Sequence, residues 1–198
     1  MINMFAWFGS VRKQPRLEEA QPAAWAEMAK AAASYCGWIE SLPMLTPEER
    51  KSREVSDAYP TRTREARAQL LAVMTAASRL EAVDPPGDEE SDYGVSSAAW
   101  QEVYKRTGAL DLGHYRDCPY GEDLTDELLP SLGDVSDDLT DIWKDLKTGL
   151  LMWNEGKHAS AVWEWHFQFT CHWGSHAVDA LRQIQGWIQQ HARELPDS

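Results

Sequence analysis

Four residues, Asn154-Glu155-Gly156-Lys157, separate two long stretches of helical pattern, Leu132 to Trp153 and His158 to about Arg193. So short a connection leaves the chain no path except straight back. Two antiparallel helices are therefore expected, with Gly156 suited to the left-handed backbone that often ends a helix. The other patterned segments are helical too. Pro22 opens PAAWAEMAKAAASYCGWIES, rich in Ala and free of breakers up to Gly37, with Pro43 beyond its end. In TPEER, Thr46 reads as an N-cap, Pro47 as the first helical residue and Glu49 as the third, a capping box that starts a short helix ended by Pro60. A further helix follows from Thr61, its apolar face given by Leu70, Leu71, Met74, Ala77 and Leu80. Asp84 to Ser97 combines Pro-Pro-Gly with five acids, which suits an exposed linker. A brief helix capped by Ser96 or Ser97 comes next, and residues 108–130 have no clear period. No strand pattern or internal repeat stands out. The fold class expected is all-α: a lead-in over 1–20, then one helical domain over 21–198 with an acidic linker near 84–97. That domain is a bundle of four to six helices around the long C-terminal hairpin.

Composition narrows the function. Cys36, Cys118 and Cys171 are few, far apart and in no C-x-x-C spacing, as expected of free thiols in a reducing compartment, the cytoplasm by default. The apolar run in MINMFAWFGSVRKQPR is short and its basic residues follow it, the reverse of a secretory signal. The net charge of −13 is uneven. Residues 1–80 hold 11 Lys and Arg against 9 Asp and Glu, whereas residues 81–198 hold 8 against 23. Between Asp117 and Trp143 there are nine acids and no Lys or Arg. Such a field repels phosphate backbones and anionic lipid and attracts cationic surfaces, so a basic protein partner is expected and nucleic acid and membranes are not.

On the first hairpin helix, Asp134, Asp138, Asp141 and Asp145 form one stripe, and Val135, Leu139, Ile142, Leu146, Leu150 and Trp153 form another about a third of a turn away. The plain reading of the acidic stripe is a solvated face. The functional reading is a docking surface for a basic partner, with Trp143 and Trp165 as aromatic anchors. Ala161 to Arg182 then holds three Trp, two Phe and three His. His172 and His176 have the i, i+4 spacing that lets two imidazoles reach one metal ion, and Asp179 shares their side. Asp141 or Asp145 from the facing helix would complete a carboxylate-histidine site of the kind built inside helix bundles. The plain alternative is that each histidine donates a ring N–H to an aspartate of the facing helix and packs. H-E-x-x-H, G-x-S-x-G, P-loop and G-x-G-x-x-G motifs are all missing, and Cys171 and His172, adjacent on a helix, point about 100° apart.

DDLTDIWKDLKTGLLMW (137–153) and AVWEWHFQFTCHWGSHAVDALR (161–182) resemble a bacterial family, the domain of unknown function numbered five-zero-six-three, with a weaker likeness at YCGWIE (35–40). The resemblance implies an all-helical protein of about this size and no activity, cofactor or catalytic residue. His166 stands where relatives often have Arg. The leading expectation is a non-enzymatic, immunity-type protein that covers a basic surface on a cognate toxin or effector and needs no cofactor. Its alternative is a helical-bundle protein holding a divalent transition metal through His172, His176, Asp179 and Asp141 or Asp145.

Overall fold

The computed structural model describes residues 21–84, 93–117 and 131–191. Helix α1 spans Gln21–Ser41, α2 Arg53–Ala77 and α3 Ser97–Thr107. A small antiparallel ribbon pairs β1 (His114–Asp117) with β2 (Ser131–Asp134). Helix α4 runs over Val135–Asn154. The return helix comprises α5 (His158–Gln168), a π-helical turn (Phe169–Trp173) and α6 (Gly174–Gln190). The fold is the all-α bundle expected, with the C-terminal hairpin at its centre: α4 touches α1, α3, α5 and α6. Gly156 takes a φ of 81° at the hairpin bend, where a side chain would be strained. No helix among the described residues is long and apolar enough to cross a membrane. The lead-in over 1–20 and most of the acidic linker, residues 85–92, lie outside the described residues. The parts of that linker that are described, Asp84 and residues 93–96, carry no helix or strand.

Three local expectations need correcting. Pro60 does not end a helix: the capping box of Thr46 and Glu49 leads only into a 3-10 turn, Glu49–Lys51, and Ser52 then caps α2, which continues through Pro60. The amide that Pro60 lacks would have bonded the carbonyl of the exposed Ser56, which water can serve instead. On α2 the buried set is Val55, Thr63, Ala66, Leu70, Val73, Ala76 and Ala77, while Met74 is half-buried and Leu71 is 49% exposed. The ribbon was not expected. Its strands have four residues each and no alternation, and what holds them is the register His114 to Asp134, Tyr115 to Gly133 and Arg116 to Leu132.

The core follows from the apolar periodicities. Met28, Ala32, Tyr35 and Ile39 line α1, and Val135, Leu139, Ile142 and Leu146 line α4, all with no exposed surface. Trp165 and Trp173 are equally enclosed. Trp165 fits because Gly149 faces it: a Cβ there would lie 2.1 Å from the indole nitrogen, which donates to the Leu146 carbonyl at 3.1 Å. A buried tryptophan of this kind contributes about 3–5 kcal/mol against truncation to alanine.

Candidate functional site

Because α4 is covered on several sides, burial reaches beyond its apolar stripe. Asp138 and Asp145 are 3% and 5% exposed, and the acidic stripe as a whole is a lined seam in place of a solvated face. Each of its four carboxylates accepts from a ring. Asp134 accepts from the Tyr104 hydroxyl at 2.7 Å and caps α4 through the Ser136 amide at 2.9 Å. Asp138 accepts from Tyr115 Oη at 2.9 Å and from His176 Nδ1 at 2.7 Å. Asp141 Oδ1 accepts from Trp100 Nε1 at 2.8 Å, and Asp145 Oδ2 from His172 Nδ1 at 2.6 Å. An ionised carboxylate can only accept, so the Nδ1 atoms of His172 and His176 carry the hydrogens, which leaves Nε2 of each as the nitrogen free to bind.

The backbone explains how these partners arrive. Trp100 and Tyr104, one turn apart on α3, stack with ring centroids 5.2 Å apart and reach Asp141 and Asp134, themselves two turns apart on α4. Tyr115 lies flat on Gly133, where a Cβ would sit 2.3 Å from the ring, and so extends to Asp138. The histidines come from the return helix. The π-turn places His172 in its widened coil, and it requires Gly174, since a Cβ there would lie 2.2 Å from the Phe169 carbonyl oxygen. Such turns hold an extra residue and occur often at functional sites.

Asp141, His172 and His176 each offer a ligand atom, and the three atoms lie within 4.8 Å of one another. His176 Nε2 is 3.9 Å from Asp141 Oδ2, too long for a hydrogen bond and close to the separation of two ligands each roughly 2.1 Å from one ion. The side chains are 39%, 26% and 21% exposed for His172, His176 and Asp141, so the triad opens to solvent. Burial pushes the Asp145 carboxyl above its ordinary range, against the His172 bond that pulls it down. Asp138, bonded to His176, raises that imidazole's affinity for a proton, against a lowering by burial. Asp137, half-buried on the turn before Asp141, is likewise raised, first by burial and then by the charges of Asp141 and Asp138.

The expected residues are thus redistributed. Asp141, His172 and His176 come together. Asp145 orients His172, and Asp179 lies 3.6 Å from Arg182, outside the triad. Trp143 is 3% exposed, its indole donating to Glu40 at 2.8 Å, and Trp165 is enclosed, so neither is open to a partner as an anchor. Lys147 pairs with Glu40 at 2.8 Å, while the charge of Lys144 acts on Asp145 of the stripe. Cys171 is exposed while its neighbour His172 turns inward to Asp145. The sequence reading missed Trp100, Tyr104 and Tyr115. For the first two the signal available was an i, i+4 aromatic pair on a short helix, and for Tyr115 there was none.

No curated protein matches the chain. Among solved structures it is similar to protein BF1032 from Bacteroides fragilis, with a TM-score of 0.63 at 17% identity over 87% of this chain and 94% of that one, a likeness of fold. Residues 114–190 match the model of a domain of unknown function (DUF5063), a stretch that takes in the ribbon, α4 and the return helix. That stretch, over which the chain is similar to the family, supplies both histidines and all four aspartates of the seam.

Proposed function

We propose that this is a metal-binding helical-bundle protein in which Asp141, His172 and His176 hold one divalent transition metal ion. The observation that carries the reading is the pairing of both imidazoles, through Nδ1, with buried carboxylates. That pairing fixes the tautomer, holds the rings and raises the donor strength of Nε2, as the partners behind metal-bound histidines do. The 4.8 Å spread is wider than a bound ion requires, so the ligands close by about 1 Å on binding. Two imidazoles and one carboxylate suit zinc or ferrous iron, and three protein ligands leave positions for water or a substrate. The free thiols of Cys36 and Cys171 support a cytoplasmic setting. An immunity-type role against a basic toxin or effector is the weaker reading. It keeps the net charge of −13 as support, but Asp138, Asp145, Trp143 and Trp165 are buried.

The test is metal analysis of the purified chain with thermal melts. One ion per chain is expected, with a melting temperature raised by added Zn²⁺ because the ion binds the folded state. Both effects should vanish in His172→Ala/His176→Ala. A chain that takes up no stoichiometric metal and melts identically with Zn²⁺ overturns the proposal.

A further inference from the structure

A cleft of about 760 Å³ lies between the π-turn, α2 and the ribbon, and His176 belongs both to it and to the triad. Its volume is that of a small-molecule site. One wall is apolar: Phe169 of the π-turn, Met74 of α2, Val178 of α6 and Leu132 of β2. Leu132 and Val178 are 74% and 47% exposed, far above the core residues of their neighbourhood. The other wall is acidic, with Asp137 and Asp138 beside His176, and no Lys or Arg among the described residues lines the cleft. Arg182, over the Tyr115 ring at 5.8 Å, is spent on Asp179 at 3.6 Å. Asp137 stands one helical turn before Asp141, so the acidic end of the cleft is the end that reaches the triad.

We propose that this cleft binds a small organic amine, its apolar body against Phe169, Met74 and Val178 and its ammonium end beside Asp137, next to the metal site. The inference rests on the metal reading for what the ammonium end meets. A divalent ion does not reverse the field there, because Asp137, Asp138, Asp141 and Asp145 together offer four carboxylates against its two charges. Carboxylate- or phosphate-bearing molecules of the same size are disfavoured by the same field, since like charges brought together cost several kcal/mol.

The experiment uses the full chain loaded with Co²⁺ and three probes, n-hexylamine, 1-hexanol and hexanoate, each followed by proton NMR. A paramagnetic ion broadens the lines of a bound probe most where it comes nearest. Hexylamine lines should broaden, the CH₂ beside nitrogen most and the terminal methyl least, and hexanoate should broaden about tenfold less at equal concentration. Val178→Trp, a change at an exposed site on α6, should fill the cleft and reduce hexylamine broadening about tenfold while Co²⁺ stoichiometry holds. Asp137→Asn should bring hexylamine down to the level of hexanol. Equal broadening of all three probes, a gradient that favours the methyl end, or full retention of binding in Val178→Trp overturns the amine site and leaves the metal reading standing. A chain that takes up no Co²⁺ overturns both.

Discussion

Between α1 and α2 the ion pair and the side-chain hydrogen bond that join the helices stay at the exposed rim, Arg79 to Glu27 at 2.9 Å and Ser34 to Gln69 at 3.0 Å, while apolar residues such as Ala32, Ala66, Leu70 and Val73 are enclosed. Where α4 meets the return helix, two carboxylates are enclosed and are satisfied by imidazoles that are partly open to solvent. The contrast teaches what each seam can tolerate. At the first, an ion pair in solvent contributes about 0–1 kcal/mol and its loss leaves nothing stranded. At the second, removing an imidazole strands a buried carboxylate, at a cost of several kcal/mol. A chain built for stability alone would have used the first solution twice, since apolar residues of similar volume in place of a buried pair are often neutral or stabilising. The second seam therefore reads as a site that the fold sustains.

The largest test of that contrast is a pair of truncations in metal-free protein. His172→Ala, which strips the buried Asp145 of its donor, should lower the unfolding free energy by about 3–5 kcal/mol, whereas Glu27→Ala should lower it by less than about 1 kcal/mol. Urea unfolding reads both, and equal losses would erase the distinction between the seams. A sharper and smaller test uses glycine. Gly37 on α1 faces open space, so Gly37→Ala should stabilise by about 0.5–1 kcal/mol through helix propensity. Gly149 on α4 faces Trp165, and Gly149→Ala should destabilise by about 1–3 kcal/mol through overpacking. Opposite signs in the two melts are the expected result. If both stabilise, the α4 seam is looser than described.

The smallest effect lies away from both seams. The Thr46 hydroxyl accepts from the Glu49 amide at 3.2 Å, and the Thr46 amide donates to Glu49 Oε2 at 2.8 Å; that amide first, and then the Thr46 side chain, hold the exposed Glu49 carboxyl below its ordinary range. A folded-state pKa below the unfolded one means that the stabilisation is present above the unfolded pKa and fades as pH falls through the folded one. Carbon-detected NMR titration of the Glu49 carboxyl should show the lowered midpoint, and Thr46→Ala, which keeps the backbone amide and removes the hydroxyl, should move it only part of the way back. A midpoint at the usual value in the parent chain would remove the capping box from the account.

How much of this was legible beforehand depended on whether the signal was local. The capping-box bonds at Thr46, the Ser96 cap, Gly156 and the apolar stripe of α4 are set within a few residues and are found, although the box opens a 3-10 turn and Trp153 at the end of the stripe is half-buried. The i, i+4 spacing of His172 and His176 is local as well, and their aspartate partners were among the candidates. What could not be read was burial. Nothing in Asp138 or Asp145 marks them as enclosed, because enclosure depends on α1, α3 and the ribbon closing over α4. Pro60 misled for a related reason: a proline breaks a helix only where the freed carbonyl has no other donor. The ribbon was silent in sequence because pairing across its strands, and not alternation along them, holds it.

A consequence of the π-turn concerns insertion and deletion. A coil with one residue more than an α-helical turn is one deletion away from regular helix, and Thr170 and Cys171, within it, are exposed and cover nothing in the core. Deleting either would let the segment run as plain α-helix while the residues beyond keep their phase, because the wider turn absorbs its one extra residue within itself. Ala177, Ala180 and Ile184 would stay buried on α6, and the change would fall on the turn, where His172 meets Asp145. The extra residue thus acts locally: a change of length at this turn alters the coil that carries the first imidazole and spares the helix that carries the second.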